Sequence, residues 1–207
     1  MKKLILLISA LLFAGFVSAQ TTTTGDESTT GLKMGFHAGI NTSKFATELN
    51  GDSTDVSARI GWQAGLMLRY GGRFFVESHL ELGQSTIDLM TPDTALVNVE
   101  TKVYRSFITI PVMLGYKLFQ SPDGSSSFRI MGGVEAMAIL KTKIDENLFY
   151  FTQDDFEPFS FAAYGGIGAD LWIIRLDLGL HYGLTPMLQT DDNSYNVMTT
   201  FNIGITF

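Results

Sequence analysis

Residues 174–184 alternate without a break. Ile174, Leu176, Leu178, Leu180, Tyr182 and Leu184 take one phase, and Arg175, Asp177, Gly179, His181 and Gly183 take the other. A helix would mix these charges among the leucines on every face. A strand, with its period of two, sorts them onto opposite sides. This segment restricts the chain to a β architecture with one greasy face and one ionisable face.

The same period recurs along the sequence. Leu32, Met34, Phe36, Ala38 and Ile40 oppose Lys33, Gly35, His37, Gly39 and Asn41. Ile60, Trp62, Ala64, Leu66, Leu68 and Tyr70 oppose Gln63 and Arg69. Phe74, Val76, Leu80 and Leu82 oppose Glu77, His79 and Glu81, with Ser78 the exception on the apolar side. Ile108 to Tyr116, Phe128 to Leu140, Phe161 to Leu171 and Val197 to Phe207 supply four more apolar faces, giving eight strands.

The connections sort by parity. Gly71-Gly72, the turn-forming run Gln120–Ser125 and the single Trp172 are short. The intervening connections, about Thr42–Ser57, Ser85–Val103, Lys141–Ser160 and Thr185–Asn196, are long. Strict alternation of this kind is the pattern of outer-membrane barrels, with short periplasmic turns and long external loops.

Magnitudes decide which face points out. A dry core lined by Arg69, Glu77, His79, Glu81, Arg129, Glu135, Asp170, Arg175, Asp177 and His181 would cost several kcal/mol for each unpaired ion. A lumen in which these groups pair is cheaper, and leucines facing hydrocarbon cost nothing. The polar set is therefore read as a lumen network, with Lys117 on the same face. Tyr70, Phe74, Tyr116, Phe128 and Trp172 gather at the short-turn end, as an interfacial aromatic girdle would. The expected fold is all-β: an eight-stranded antiparallel up-and-down transmembrane β-barrel spanning residues 32–207.

The N-terminal region reads as an address. Lys2 and Lys3, the apolar run Leu4–Val17 and Val17-Ser18-Ala19 have the layout of a secretory signal peptide over residues 1–19. Residues 20–31 are Thr-rich and polar, and are expected to be a flexible leader. Charged residues make up only 17% of the chain, low for a soluble domain. The formal charge of -7 argues against a nucleic-acid partner, and the absence of cysteine excludes disulfides, thiol catalysis and Cys-ligated metals.

Three short segments carry a family resemblance: Gly39-Ile40-Asn41-Thr42-Ser43, Phe107-Ile108-Thr109-Ile110-Pro111 and Tyr182-Gly183-Leu184-Thr185. With them the chain resembles the PorT-like outer-membrane β-barrel family. The resemblance implies the barrel and residence in the outer membrane; some relatives are linked to secretion or gliding machinery. Pro111 is similar to a proline recurrent in the family, although inside a strand it removes a ladder hydrogen bond and should mark a bulge or an edge. The terminal Phe207, in phase with Phe201, Ile203 and Ile205, looks like a recognition signal for the barrel assembly machinery.

Candidate chemistry is sparse. His79 between Glu77 and Glu81, and His181 beside Asp177 and Arg175, suit either a catalytic His–carboxylate pair or a structural ion network; the network reading is preferred. No nucleophile elbow is present. A metal site from His37, His79 and His181 needs three strands at one level, which the spacing does not demand, so no metal, cofactor or catalytic residue is assigned. The glycine pairs Gly132-Gly133 and Gly165-Gly166 sit inside strands and are not phosphate loops.

The long connections are acidic, which suits an outer surface; weak Ca²⁺ or Mg²⁺ bridging to lipopolysaccharide phosphates is the sharper alternative. In the third of them, Phe149, Tyr150, Phe151 and Phe156 interleave with acids and form the candidate partner loop. The expected function is non-enzymatic: a structural or interaction role in the envelope, as an accessory subunit contacting outer-membrane lipid and an envelope protein. A narrow solute channel, a lipid- or peptide-modifying barrel enzyme and a soluble ligand-binding barrel are the alternatives.

Overall fold

In a computed structural model, residues 30–46, 59–91, 99–144, 157–185 and 195–207 are described. They form eight strands: β1 (Gly31–Ala46), β2 (Arg59–Gly71), β3 (Phe74–Thr91), β4 (Val99–Gln120), β5 (Ser126–Ile144), β6 (Phe159–Leu171), β7 (Ile174–Gly183) and β8 (Tyr195–Thr206). Each pairs antiparallel with the next, and β8 returns to β1, closing the barrel. Closure leaves no free edge strand, although the far ends of β3, β4 and β5 run beyond the pairing of one neighbour.

The termini of the barrel wall lock together. Met34 and Phe207 exchange both backbone hydrogen bonds, at 2.9 and 2.8 Å, and Phe36 meets the Phe207 ring edge-on. The predicted signal peptide lies outside the described residues, as does all but the end of the leader, and β1 begins at Gly31, one residue before the expected boundary.

All three short turns sit at one end. Gly71, at φ 136°, turns the chain between β2 and β3, and the Gly72 amide donates to the Phe74 carbonyl. Only glycine takes that backbone angle cheaply. Ser121–Ser125 links β4 to β5: Gly124 donates to the Ser121 carbonyl, and the Asp123 carboxylate accepts from the Ser125 amide at 3.2 Å. Trp172 links β6 to β7 at φ 60°, a left-handed angle that costs a side-chain-bearing residue about 1–2 kcal/mol. Its amide donates to the Ser125 carbonyl, tying two turns together, and its indole stands out from the surface.

At the other end the strands run further than the sequence suggests. β3 continues to Thr91 and β4 starts at Val99, so the expected connection Ser85–Val103 is mostly strand. β5 likewise extends to Ile144. Alternation degrades where polar residues stand in both phases, as at Ser85 and Thr86 of β3 and at Lys141, Thr142 and Lys143 of β5, and periodicity there has nothing to sort. Two bulges also hide the phase: Leu140 of β5 is left over between the Phe107–Ile139 and Ser106–Lys141 pairs, and Leu118 of β4 between Lys117–Arg129 and Phe119–Phe128. Each extra residue flips the alternation beyond it.

Pro111 marks neither a bulge nor an edge. The β3–β4 register is the same on both sides of it, and pairing simply lapses between Ser78–Val112 and Glu81–Thr109. A closed barrel has no edge to which a proline can retreat, so the ladder forgoes bonds there instead.

The orientation is inside-out relative to a soluble barrel. Leu66, Leu80, Leu82, Val112, Leu114, Val134, Leu178, Leu180, Phe201 and Ile203 are exposed on the outside, while Arg69, Glu77, Arg129, Glu135, Arg175 and Asp177 are buried within. Tyr70, Phe74, Phe128 and Trp172 lie exposed around the short-turn end, with the Tyr116 ring 4.5 Å from Phe74. A second aromatic ring, Trp62, Phe161 and Tyr182, is exposed eight to ten residues further up its strands. At about 3.3 Å per residue and a tilt near 40°, the two rings stand roughly 20–25 Å apart, the height of a bilayer-spanning apolar band.

Candidate functional site

The lumen is filled rather than open. Its central feature is a closed cycle of six side chains from β2, β3, β5, β6 and β7. Arg69 donates Nε to Glu77 at 2.5 Å and Nη1 to Asp170 at 2.8 Å. Arg129 donates to Asp170 through Nη1 and to Asp177 through Nη2. Arg175 donates Nε to Asp177 at 2.5 Å and Nη2 to Glu77 at 2.7 Å. Each carboxylate gives one oxygen to each of two arginines, and each guanidinium bridges two carboxylates. Three positive and three negative charges cancel around the ring.

The strands explain why these residues meet. Arg69 lies opposite Glu77 in the β2–β3 ladder, and Asp170 opposite Arg175 in the β6–β7 ladder, all in the inward phase. Arg129 opposes Gly168 on β6, where a Cβ would press on its guanidinium. The small residue opens the space through which Arg129 reaches both aspartates. Arg69 also lies over the Phe75 ring, 4.7 Å from its centroid.

A second cluster adjoins the ring. His79 Nε2 is 2.6 Å from Glu77 Oε1, and His79 Nδ1 is 2.9 Å from Glu81 Oε1. The same Glu81 oxygen is 2.8 Å from His37 Nε2 on β1, and Thr109 donates its hydroxyl to the other Glu81 oxygen at 3.2 Å. The His37 and His79 rings lie 4.8 Å apart. His37, placed by the sequence on the polar face but left out of the network, is thus a full member of it. His181 is elsewhere: its Nδ1 is 2.9 Å from Glu135 Oε2 and its Nε2 is 3.2 Å from Thr200 Oγ1. The three histidines therefore do not converge, but two of them do.

Apolar layers separate the charged ones. Phe75, Met113, Met131 and Tyr164 form one buried cluster, and Phe107, Met137 and Met198 another. The sequence reading missed both phenylalanines as lumen residues, although each sits in the inward phase of its strand. Each needs a glycine opposite. A Cβ at Gly115 would overlap the Phe75 ring, and one at Gly83 the Phe107 ring. Arg105, also missed, lies buried in β4 between the expected connection Ser85–Val103 and the apolar face that starts at Ile108.

Amides complete the polar lining: Asn41 donates to the Trp62 carbonyl at 3.1 Å, and Gln63 to Asn202 at 3.0 Å. The space left over is slight. A cavity of about 50 Å³ at the short-turn mouth is lined by residues including Lys33, Lys117 and Asp170, and one of about 10 Å³ lies beside Glu135 and His181. Each holds a few waters at most. The candidate partner residues Phe149, Tyr150, Phe151 and Phe156 lie outside the described residues.

No curated protein sequence matches the chain. Among solved structures it is similar to the outer membrane protein OprG from Pseudomonas aeruginosa, with a TM-score of 0.52 over 88% of this chain and 99% of that one at 11% identity. It is also similar to Ail, the attachment invasion locus protein of Yersinia pestis, with 0.48 over 85% and 99% at 10% identity. For Neisserial surface protein A the values are 0.45 over 84% and 97%, again at 10% identity. At such identity the OprG likeness speaks for the fold alone. The family model described as "Outer membrane protein beta-barrel domain" matches residues 18–189. A closed eight-stranded wall, an apolar exterior, an ion-paired interior and that match converge: the chain belongs to the outer-membrane protein β-barrel domain family and resides in the outer membrane.

Proposed function

We propose that this chain is a non-enzymatic, non-conducting barrel with a structural or interaction role in the cell envelope, in the manner of an accessory subunit. In this reading the short turns face the periplasm and the long connections face outward. The observation that carries it is the closed Arg–carboxylate cycle across the lumen. Opening a path for ions would mean breaking paired, buried charges at several kcal/mol each. His79 and His181, the two residues best suited to general acid–base work, are buried and hydrogen-bonded to structural partners.

The segments Gly39–Ser43, Phe107–Pro111 and Tyr182–Thr185 resemble the PorT-like family, some of whose members are linked to secretion or gliding machinery, and none of the three is a motif that carries that role over. Partner contact is assigned to the loop carrying Phe149, Tyr150, Phe151 and Phe156.

Purified, folded protein in a planar lipid bilayer tests the reading. A trace without discrete conductance steps is the expected result. Reproducible steps that disappear on heat unfolding would replace it with the narrow-channel reading.

A further inference from the structure

The second lumen cluster has a composition that the charge cycle does not require. The cycle is neutral without it. Glu81 stands outside the cycle and is held by two imidazoles and a threonine. Two imidazole nitrogens and one carboxylate oxygen, contributed by β1 and β3, all lie within 4.8 Å of one another and are buried.

The surroundings are those of a ligand set. His79 turns Nδ1 toward Glu81 because its other nitrogen is held by Glu77. A carboxylate behind a histidine in this way fixes the ring and raises its basicity as a ligand. Glu81 is held in turn by Thr109 at the oxygen that does not face the histidines. Both features are outer partners of the kind metal ligands carry.

We propose that His37, His79 and Glu81 form a binding site for one divalent first-row transition cation of the zinc class, inside the barrel. Borderline cations favour imidazole nitrogen together with carboxylate oxygen, whereas Ca²⁺ and Mg²⁺ favour all-oxygen sets. The ligand atoms of a tetrahedral zinc site stand about 3.3 Å apart, given Zn–N bonds near 2.0–2.1 Å. Glu81 Oε1 is 2.8 and 2.9 Å from the two nitrogens, and all three atoms lie within 4.8 Å of one another, so the ion is admitted when each oxygen–nitrogen pair opens by about half an ångström and the two imidazoles draw together.

The proton inventory balances. Both nitrogens of His79 face carboxylate oxygens, so both donate in the metal-free state. On binding, the Nδ1 proton leaves to solvent and the Nε2–H···Glu77 bond remains. His37 moves its single proton from Nε2 to Nδ1, a nitrogen with no hydrogen-bond partner. Water fills the remaining coordination position. The ion then staples β1 to β3 across the intervening β2, and occupancy stabilises the folded barrel by mass action.

The test uses the full folded chain in detergent, stripped with chelator and dialysed, then titrated calorimetrically with ZnCl₂ and separately with CoCl₂ under visible absorption. Folding of every variant is checked by circular dichroism and by faster migration before heating. The expected result is one equivalent of Zn²⁺ bound, an intense tetrahedral Co²⁺ spectrum, and a higher urea midpoint with metal. His37→Ala, which removes one hydrogen bond outside the charge cycle, should weaken Zn²⁺ by about 100-fold or more and abolish the Co²⁺ bands, outer-partner losses alone being worth about 10–100-fold. His181→Gln should bind as wild type. Failure of the folded wild-type chain to bind one equivalent overturns the proposal. So does binding that survives His37→Ala unchanged or is lost in His181→Gln.

Discussion

Glu77 and Arg175 meet at 2.7 Å across the lumen although 98 residues separate them in the chain. The pair joins β3 to β7, strands that share no ladder, and so closes a cycle that neighbouring-strand pairs alone would leave open. Removing one partner strands a buried charge. Arg175→Met is expected to cost about 3–5 kcal/mol in urea unfolding from micelles. Asp170→Asn, at the partly exposed mouth, should cost about 1–2 kcal/mol. Equal losses at the two positions would mean that the cycle does not act as a buried unit.

Gly115 exists to seat Phe75. Gly115→Ala should destabilise by about 1–3 kcal/mol through overpacking, and Phe75→Leu in the same chain should recover part of it. Additive losses in the urea midpoint would show that the ring and the glycine do not share the space.

Those glycines also show where the sequence was legible. Alternation alone sorted Arg69, Glu77, Arg175 and Asp177 from the leucines, counted the strands and separated short turns from long connections. It did not reveal who pairs with whom, because Glu77–Arg175 depends on barrel closure, which no local pattern encodes. Phe75 was lost because an inward aromatic reads as noise until its glycine opposite is known. Arg105 was lost because it lies between the expected connection and the apolar face from Ile108, where the adjacent Phe107 and Ile108 hide the phase. His37 was seen and left isolated, since its meeting with His79 crosses β2.

The Ser121–Ser125 turn carries a pH signature outside the membrane span. Hydrogen bonds from Ser121 and Ser125 hold the Asp123 carboxyl down to about 2, below its ordinary 3.8. A depressed carboxyl stabilises the folded turn above the unfolded value and loses that support as pH falls through the folded one. NMR titration should therefore show Asp123 ionised at pH 3.5 with the Ser125 amide shift unchanged, and both moving together toward pH 2. Titration of Asp123 near 4, independent of the Ser125 amide, would remove the turn's cap.

Trp62 and Trp172 mark opposite girdles, and the chain has 2 tryptophans. Single-tryptophan variants made with Trp62→Phe or Trp172→Phe should each be quenched by lipids brominated near the headgroup more than by lipids brominated at the acyl-chain end. Stronger quenching at the chain end for either would displace that ring from the interface.

The barrel sits in a bilayer only if its leucine face points outward. The chain has no cysteine, so single thiols at Ile110, Val112 and Leu114 of β4 can be spin-labelled in denaturant before the barrel is refolded into bilayers. Collision rates with dissolved oxygen, which concentrates in hydrocarbon, are then compared with those for a water-soluble nickel chelate. Oxygen should dominate at all three positions, most strongly at Val112. Dominance of the nickel chelate at these positions in folded protein would put the leucine face in water and contradict the inside-out barrel.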